Sequence, residues 1–257
     1  MRIRVLGAHN LETADTRHTC FLVNENLAID AGSLMTSLSS EEKDSLTAVL
    51  LTHRHFDHLR DLPSLGLATQ DNGITVGLYG LSETLEALSS HLMDGLLYPN
   101  FMQRPTAEHP KYRLNSVASG QVFTVAGLDA KAIAVPHSAP AVGFILRSDR
   151  GAIAFTGDTG GGLEPFLLDS FKPSLLFVET TFSSKEEDRA RNAGHLTPSL
   201  LRGELAAALG RGTSIPRIVA VHIDQRHEGA IRRELVEVSA DLGVEIIPAT
   251  EDMEFQV

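Results

Sequence analysis

The run Thr52-His53-Arg54-His55-Phe56-Asp57-His58 follows the apolar segment Ala48–Leu51 directly and sets three imidazoles and a carboxylate within six positions at a strand end. Burying so many polar side chains is costly unless a cation pairs with them, so the run reads as a site and not as core. In an extended turn His53 and His55 point the same way, while Asp57 and His58 enter the following helix and face a neighbouring point. That arrangement can seed two adjacent metal ions. A polar loop with incidental histidines would account for any one of these residues, but poorly for four ligand types in this order. Cys20 is the only cysteine. An intrachain disulfide and a thiolate cluster are therefore both excluded, and any metal must be held by histidine and carboxylate.

Strand-like apolar runs recur along the chain: Ile3–Leu6, Cys20–Val23, Leu27–Ile29, Ala48–Leu51, Ile74–Tyr79, Val122–Val125, Ala130–Val135, Val142–Leu146, Ala152–Phe155, Leu175–Val178, Ile218–Val221 and Val244–Ile247. The clearest helix is Thr197–Leu209, with Thr197 as N-cap, Pro198 at the first helical position, and Leu200, Leu201, Leu205 and Leu209 on one face. Further helices are expected over Thr36–Asp44, His58–Thr69, Ser82–His91 and Gly229–Ala240. No linker or charge block divides the sequence, so residues 1–257 are expected to form a single α/β domain. The N-terminus turns polar at His9-Asn10, unlike a secretory signal, and no span approaches the roughly 20 apolar residues that cross a bilayer. The chain is accordingly expected to be soluble and cytoplasmic, with no membrane partner.

Three more candidate ligands each end an apolar strand. His137 follows Ala130–Val135, Asp158 follows Ala152–Phe155 within Thr156-Gly157-Asp158-Thr159-Gly160, and His222 follows Ile218–Val221. Singly, His137 or His222 reads equally as a hydrogen-bonded histidine, and Asp158 as a turn residue beside glycine. Together they complete the ligand count of a two-metal site. The order His-x-His-x-Asp-His, then His, Asp and His, resembles the metallo-β-lactamase superfamily across almost the whole chain, as does Leu27-Ala28-Ile29-Asp30-Ala31-Gly32. The resemblance implies an αββα four-layer sandwich with Asp30 supporting the metal loop. It implies one metal on His53, His55 and His137, a second on Asp57, His58 and His222, and Asp158 bridging them. The ions would be divalent transition metals, Zn, Mn or Fe.

Gly157-Asp158-Thr159-Gly160, Phe177-Val178-Glu179-Thr180-Thr181-Phe182, Gly194-His195-Leu196-Thr197-Pro198 and the segment His91–Phe101 are similar to class II 3′,5′-cyclic-nucleotide phosphodiesterases. The chain departs from that class at Phe56, where Leu is usual, and at Asp61, near a usual Gly. The resemblance implies hydrolysis of cyclic AMP or cyclic GMP to 5′-monophosphates by a metal-bridging hydroxide. The catalytic candidates are His195, Asp57 and Glu179, with Glu179 orienting His195. His195 also lies two residues before the N-cap of a helix, where free backbone N–H groups and the helix dipole are expected to hold a phosphate. Tyr98, Phe101 and Phe182 are either packing residues or platforms for a base. The partner is then a small cyclic phosphodiester, and a homodimer is compatible with the sequence. Two other readings stand beside this one: a tRNA 3′-processing endonuclease and a noncatalytic metal-dependent nucleotide sensor. The charge balance disfavours nucleic acid, since 33 acidic residues against 22 basic ones give a net −11.

Overall fold

A computed structural model describes residues 1–257 as two seven-stranded sheets packed face to face, with helices on both outer faces. The first sheet is built from β1 (Arg2–Gly7), β2 (Cys20–Val23), β3 (Leu27–Ile29), β4 (Ala48–Leu50), β5 (Val76–Gly80), β6 (Tyr112–Ser116) and β14 (Glu254–Gln256). Its strand order is β14-β1-β2-β3-β4-β5-β6. The second contains β7 (Val122–Val125), β8 (Leu128–Val135), β9 (Ala141–Ser148), β10 (Gly151–Phe155), β11 (Leu175–Glu179), β12 (Arg217–Val221) and β13 (Ile246–Pro248). These lie in the order β13-β12-β11-β10-β9-β8-β7.

The four layers follow from the period-2 alternation of strands whose two faces are both covered. In β3, Leu27 and Ile29 enter the core between the sheets, while Ala28 faces an outer helical layer. In β11, Leu175 and Phe177 point inward, and Leu176 and Val178 pack beneath helices. Phe21, Phe155 and Phe177 meet where the sheets cross, with ring centroids 4.7–5.0 Å apart. Each fully buried ring of this kind contributes roughly 1.5–3 kcal/mol.

The outer layer of the first sheet holds α1 (Leu34–Ser37), α2 (Ser40–Ser45), α3 (Phe56–Leu59), α4 (Leu62–Thr69) and α5 (Ser82–Ala87). That of the second holds α6 (Glu164–Leu167), α7 (Glu187–Ala193), α8 (Pro198–Gly210) and α9 (Glu228–Leu242). Two expected helices are broken. Ser39 restarts the first as α2 through a reciprocal capping box with Glu42, and Arg60-Asp61 separate α3 from α4. Buried Asp61 accepts the Met35 backbone N–H at 2.7 Å and thereby clasps α1 to this break. No helix is long and apolar enough to cross a membrane.

Strand direction places the chemistry. β10, β11 and β12 are mutually parallel, and β8 is antiparallel to β9, which is antiparallel to β10. The C-terminal ends of β8, β10, β11 and β12 therefore share one edge. β3 and β4, also parallel, deliver their own C-terminal ends to the facing edge of the other sheet.

Candidate active site

All seven candidate ligands from the sequence converge at that edge. His53, His55, His137 and Asp158 form one group, and Asp57, His58, Asp158 and His222 form another, with the donor atoms of each group within 4.8 Å of one another. Asp158 belongs to both. Each group could hold a metal ion.

The spacing itself argues for ions. His55 Nδ1 lies 3.2 Å from His137 Nε2. His58 Nε2 is 3.4 Å from both Asp57 Oδ2 and Asp158 Oδ2, and His222 Nε2 is 3.4 Å from the same two oxygens. His53 Nε2 stands 3.7 Å from Asp158 Oδ2. Direct N–H···O bonds run shorter than most of these contacts. Tetrahedral ligands about 2.0–2.1 Å from an ion are separated by about 3.3 Å along each edge. His53 Nε2 and His58 Nε2 are moreover buried without any hydrogen-bond partner, a costly condition that a cation would relieve.

Hydrogen bonds behind the rings fix which nitrogen faces inward. His58 Nδ1 donates to Asp30 Oδ2 at 2.7 Å, and His137 Nδ1 donates to the Gly194 carbonyl at 2.8 Å. The Thr52 hydroxyl donates to Asp30, leaving its oxygen to accept from His53 Nδ1 at 3.1 Å. The Thr181 hydroxyl donates to Glu179 Oε2 and accepts from His222 Nδ1 at 2.8 Å. In all four rings Nε2 is thus the nitrogen that faces the cluster and could offer its lone pair to an ion. Backbone strain is concentrated here too: Asp30 and His222 adopt positive φ values of 57° and 59°.

Burial holds the His53, His55 and His137 imidazoles below their ordinary pKa, which keeps them neutral as metal ligands must be. His58 is different: burial opposes its charge, yet Asp158, Asp30 and Asp57 together push it well above the ordinary value. The same three carboxylates would draw a divalent cation into this position. Burial works against Asp57 and Asp158 as anions, but the surrounding imidazoles hold both well below the usual carboxylate range.

His195 stands beside the cluster, its ring 5.0 Å from that of His137 and stacked 5.4 Å from that of His222. Its Nδ1 donates to Glu179 Oε1 at 2.7 Å. Burial disfavours the imidazolium, but the Glu179 charge and hydrogen bond outweigh it and push His195 up to about 9. Glu179 is a buried hub and not a solvated acid: it also accepts the backbone N–H groups of Thr159, Thr181 and Leu196. Gly194, at φ 74°, is required by its surroundings, since a Cβ there would lie 2.9–3.1 Å from the His137-Ser138 backbone.

One expectation is corrected. Within the first turn of α8 no donor is free for a phosphate, because Pro198 lacks an N–H, Ser199 N–H donates to Ser184 Oγ, and Leu200 N–H donates to Thr197 Oγ1. Nor are two of the three aromatic candidates available to a base. Phe101 is fully buried against Tyr112, and Phe182 is buried between the Arg189 guanidinium and the edge of His195. Tyr98 is half-buried against the outer helical layer. Sequence reasoning also missed Thr52, Thr181, Gly194 and His18. The half-buried His18 faces Asp57 across Gly32, where a Cβ would meet His18 Cβ at 2.6 Å and the Asp57 carbonyl at 2.3 Å.

Residues 26–223 match the family model described as the beta-lactamase superfamily domain. A metal-dependent hydrolase from Roseiflexus castenholzii is 32% identical over 139 residues, covering 52% of this chain and 52% of that protein, so the chain spans about half the length of this relative. Among solved structures, unliganded yeast PDE1 superposes with a TM-score of 0.83 at 17% identity, covering 100% of this chain and 99% of its own. The short form of human tRNase Z superposes with a TM-score of 0.69 at 21% identity, covering 100% and 99%.

Proposed function

This chain belongs to the metallo-β-lactamase superfamily of metal-dependent hydrolases, and on that premise we propose that it hydrolyses 3′,5′-cyclic nucleotides to 5′-monophosphates with two divalent transition ions. The observation that carries the reading is the Glu179–His195 pair, an imidazole beside the two candidate metal groups that share Asp158, whose Nδ1 is held by a buried carboxylate. When bound, the two ions would supply Lewis acidity toward phosphate oxygens and a nucleophile at neutral pH. Breaking a P–O bond to a ribose also calls for a proton on the departing oxygen. With Nδ1 tied to Glu179, His195 Nε2 is the atom that delivers it. Glu179 fixes the ring and favours its protonated form. Asp57, the more open of the two cluster carboxylates, would hold an ion and orient the attacking water by accepting its hydrogen bond through the remaining oxygen.

A compact phosphodiester suits the charge of the molecule. The local field of two ions can hold one phosphate, whereas a surface of net charge −11 gives a long RNA backbone little to follow. The test is kcat/KM of the metal-loaded protein for cyclic AMP, cyclic GMP, bis(p-nitrophenyl) phosphate and a tRNA precursor at two salt concentrations. Cyclic nucleotides are expected to be preferred, with weak salt dependence. Preference for the precursor at moderate salt makes the protein a nuclease, and nucleotide binding without turnover makes it a sensor.

A further inference from the structure

The chain has eleven Phe and three Tyr, and every one except Phe56 is buried or half-buried. Phe56 is 62% exposed. It is also the residue between two candidate ligands, His55 and Asp57, at the first position of α3. Its neighbours on both sides turn inward to the cluster. Bracketed by two candidate ligands, its backbone lies beside the cluster, and its ring is open to solvent there. The opposite wall carries His195 and is closed to stacking, because Arg189 covers the Phe182 ring at 4.6 Å. Phe101 packs on Gly66, where even a Cβ would come within 2.6 Å of its ring. Phe56 is therefore the one exposed aromatic side chain offered to a planar group whose phosphate sits between Asp57 and His195, Tyr98 being half-buried against the outer helical layer.

The geometry points to Phe56 as the platform on which the base of a nucleotide stacks, making it a specificity-determining residue at the mouth of the site. The choice of ligand rests on the cyclic-nucleotide reading. An aromatic face recognises every base without hydrogen-bond readout, so this contact supplies affinity for a planar substituent and little choice among bases. Largely exposed on one turn of helix, the ring is no part of the core, and its truncation is expected to spare the fold.

Calorimetric titration of the metal-loaded protein with AMP and with ribose 5-phosphate isolates the base, the one group by which these ligands differ. The parent protein is expected to bind AMP the more tightly. Phe56→Ala should weaken AMP by at least about fivefold while changing ribose 5-phosphate little, and Phe56→Trp should keep or tighten AMP. Metal content should be the same in all three proteins. Equal affinity of the parent for both ligands, or equal weakening of both in Phe56→Ala, overturns the inference. A parent protein that binds AMP through Phe56 yet leaves cyclic AMP intact overturns the hydrolytic reading and leaves the platform standing.

Discussion

The two edges that meet at the cluster use the same device. On the first sheet a buried carboxylate, Asp30, grips His58 directly and His53 through the Thr52 hydroxyl. On the second, buried Glu179 grips His195 directly and His222 through the Thr181 hydroxyl. The difference lies in what the directly held imidazole faces. His58 Nε2 is fully buried among Asp57 and Asp158, whereas the His195 side chain keeps 13% of its surface open and joins neither group that contains Asp158. On the proposed mechanism one carboxylate–imidazole unit would serve as a metal clamp and the other as a proton donor. Burial and neighbours decide between the two roles, and residue type does not.

Alanine substitution of the two directly held imidazoles breaks this comparison with the largest effect. His58→Ala is expected to lose about one ion per chain, since it removes a proposed ligand. His195→Ala should retain both ions and lose on the order of 10²–10⁴ in kcat, the usual scale for a missing acid or base. Metal analysis beside turnover separates them. Loss of metal from both variants would mean that His195 is a ligand and that the two edges do not differ in role.

Valine at the two threonines tests the indirect arm at smaller amplitude. Thr52→Val and Thr181→Val each remove the hydroxyl that orients a proposed ligand, and each should weaken metal binding by about 10–100-fold. Only Thr181 also lies 3.2 Å from His195 Nδ1. Its variant should therefore turn over more slowly even when saturated with metal, while Thr52→Val recovers fully at high metal concentration. Identical behaviour of the pair at saturation would remove Thr181 from the His195 side of the mechanism.

These supporting residues also mark where the sequence stops being readable. Residues 53–58 announce themselves because metal chemistry is packed into a few positions after an apolar strand, and Asp158 and His222 repeat that pattern singly. Thr52 and Thr181 are ordinary strand-end residues whose role exists only when partners such as Glu179 and His222, 43 positions apart in the chain, are brought together by parallel strands. Gly194 matters because of where His137 passes, which no local pattern encodes. Strands β6 and β14 escaped for a related reason: as edge strands with polar residues such as Arg113, Asn115 and Glu254, they lack a continuous apolar run. The α8 N-cap was legible, yet its consequence was not, because Ser184 reaches the free donor from another loop.

A third carboxylate–imidazole pair shows what the unit does where no ion is implicated. His9, buried after β1, donates from Nδ1 to Glu251 Oε1 at 2.8 Å, and its Nε2 faces Glu228 Oε1 at 3.4 Å. The contact ties the C-terminal segment and α9 to the loop after β1, so its contribution should appear in stability alone. Burial opposes the Glu251 carboxylate, but the His9 hydrogen bond and the Arg17 backbone N–H bring it down to about 2. Burial likewise opposes the His9 imidazolium, and Glu251 and Glu228 outweigh it to raise that group. A depressed carboxylate stabilises fully above its ordinary 4.5, and that contribution is lost as pH falls through about 2. A raised imidazole stabilises fully below its ordinary 6.5, and the contribution is lost as pH climbs through the raised value. Both hold only in the window between 4.5 and 6.5. Glu251→Gln should therefore cost about 2 kcal/mol there, the scale of a buried hydrogen bond between charged groups, and progressively less as pH falls toward about 2 or climbs through the raised His9 value. Urea unfolding of parent and variant across that range measures the difference, with metal stoichiometry expected to stay unchanged. A cost that does not vary with pH would show that the pair is held by packing and that its charges contribute nothing.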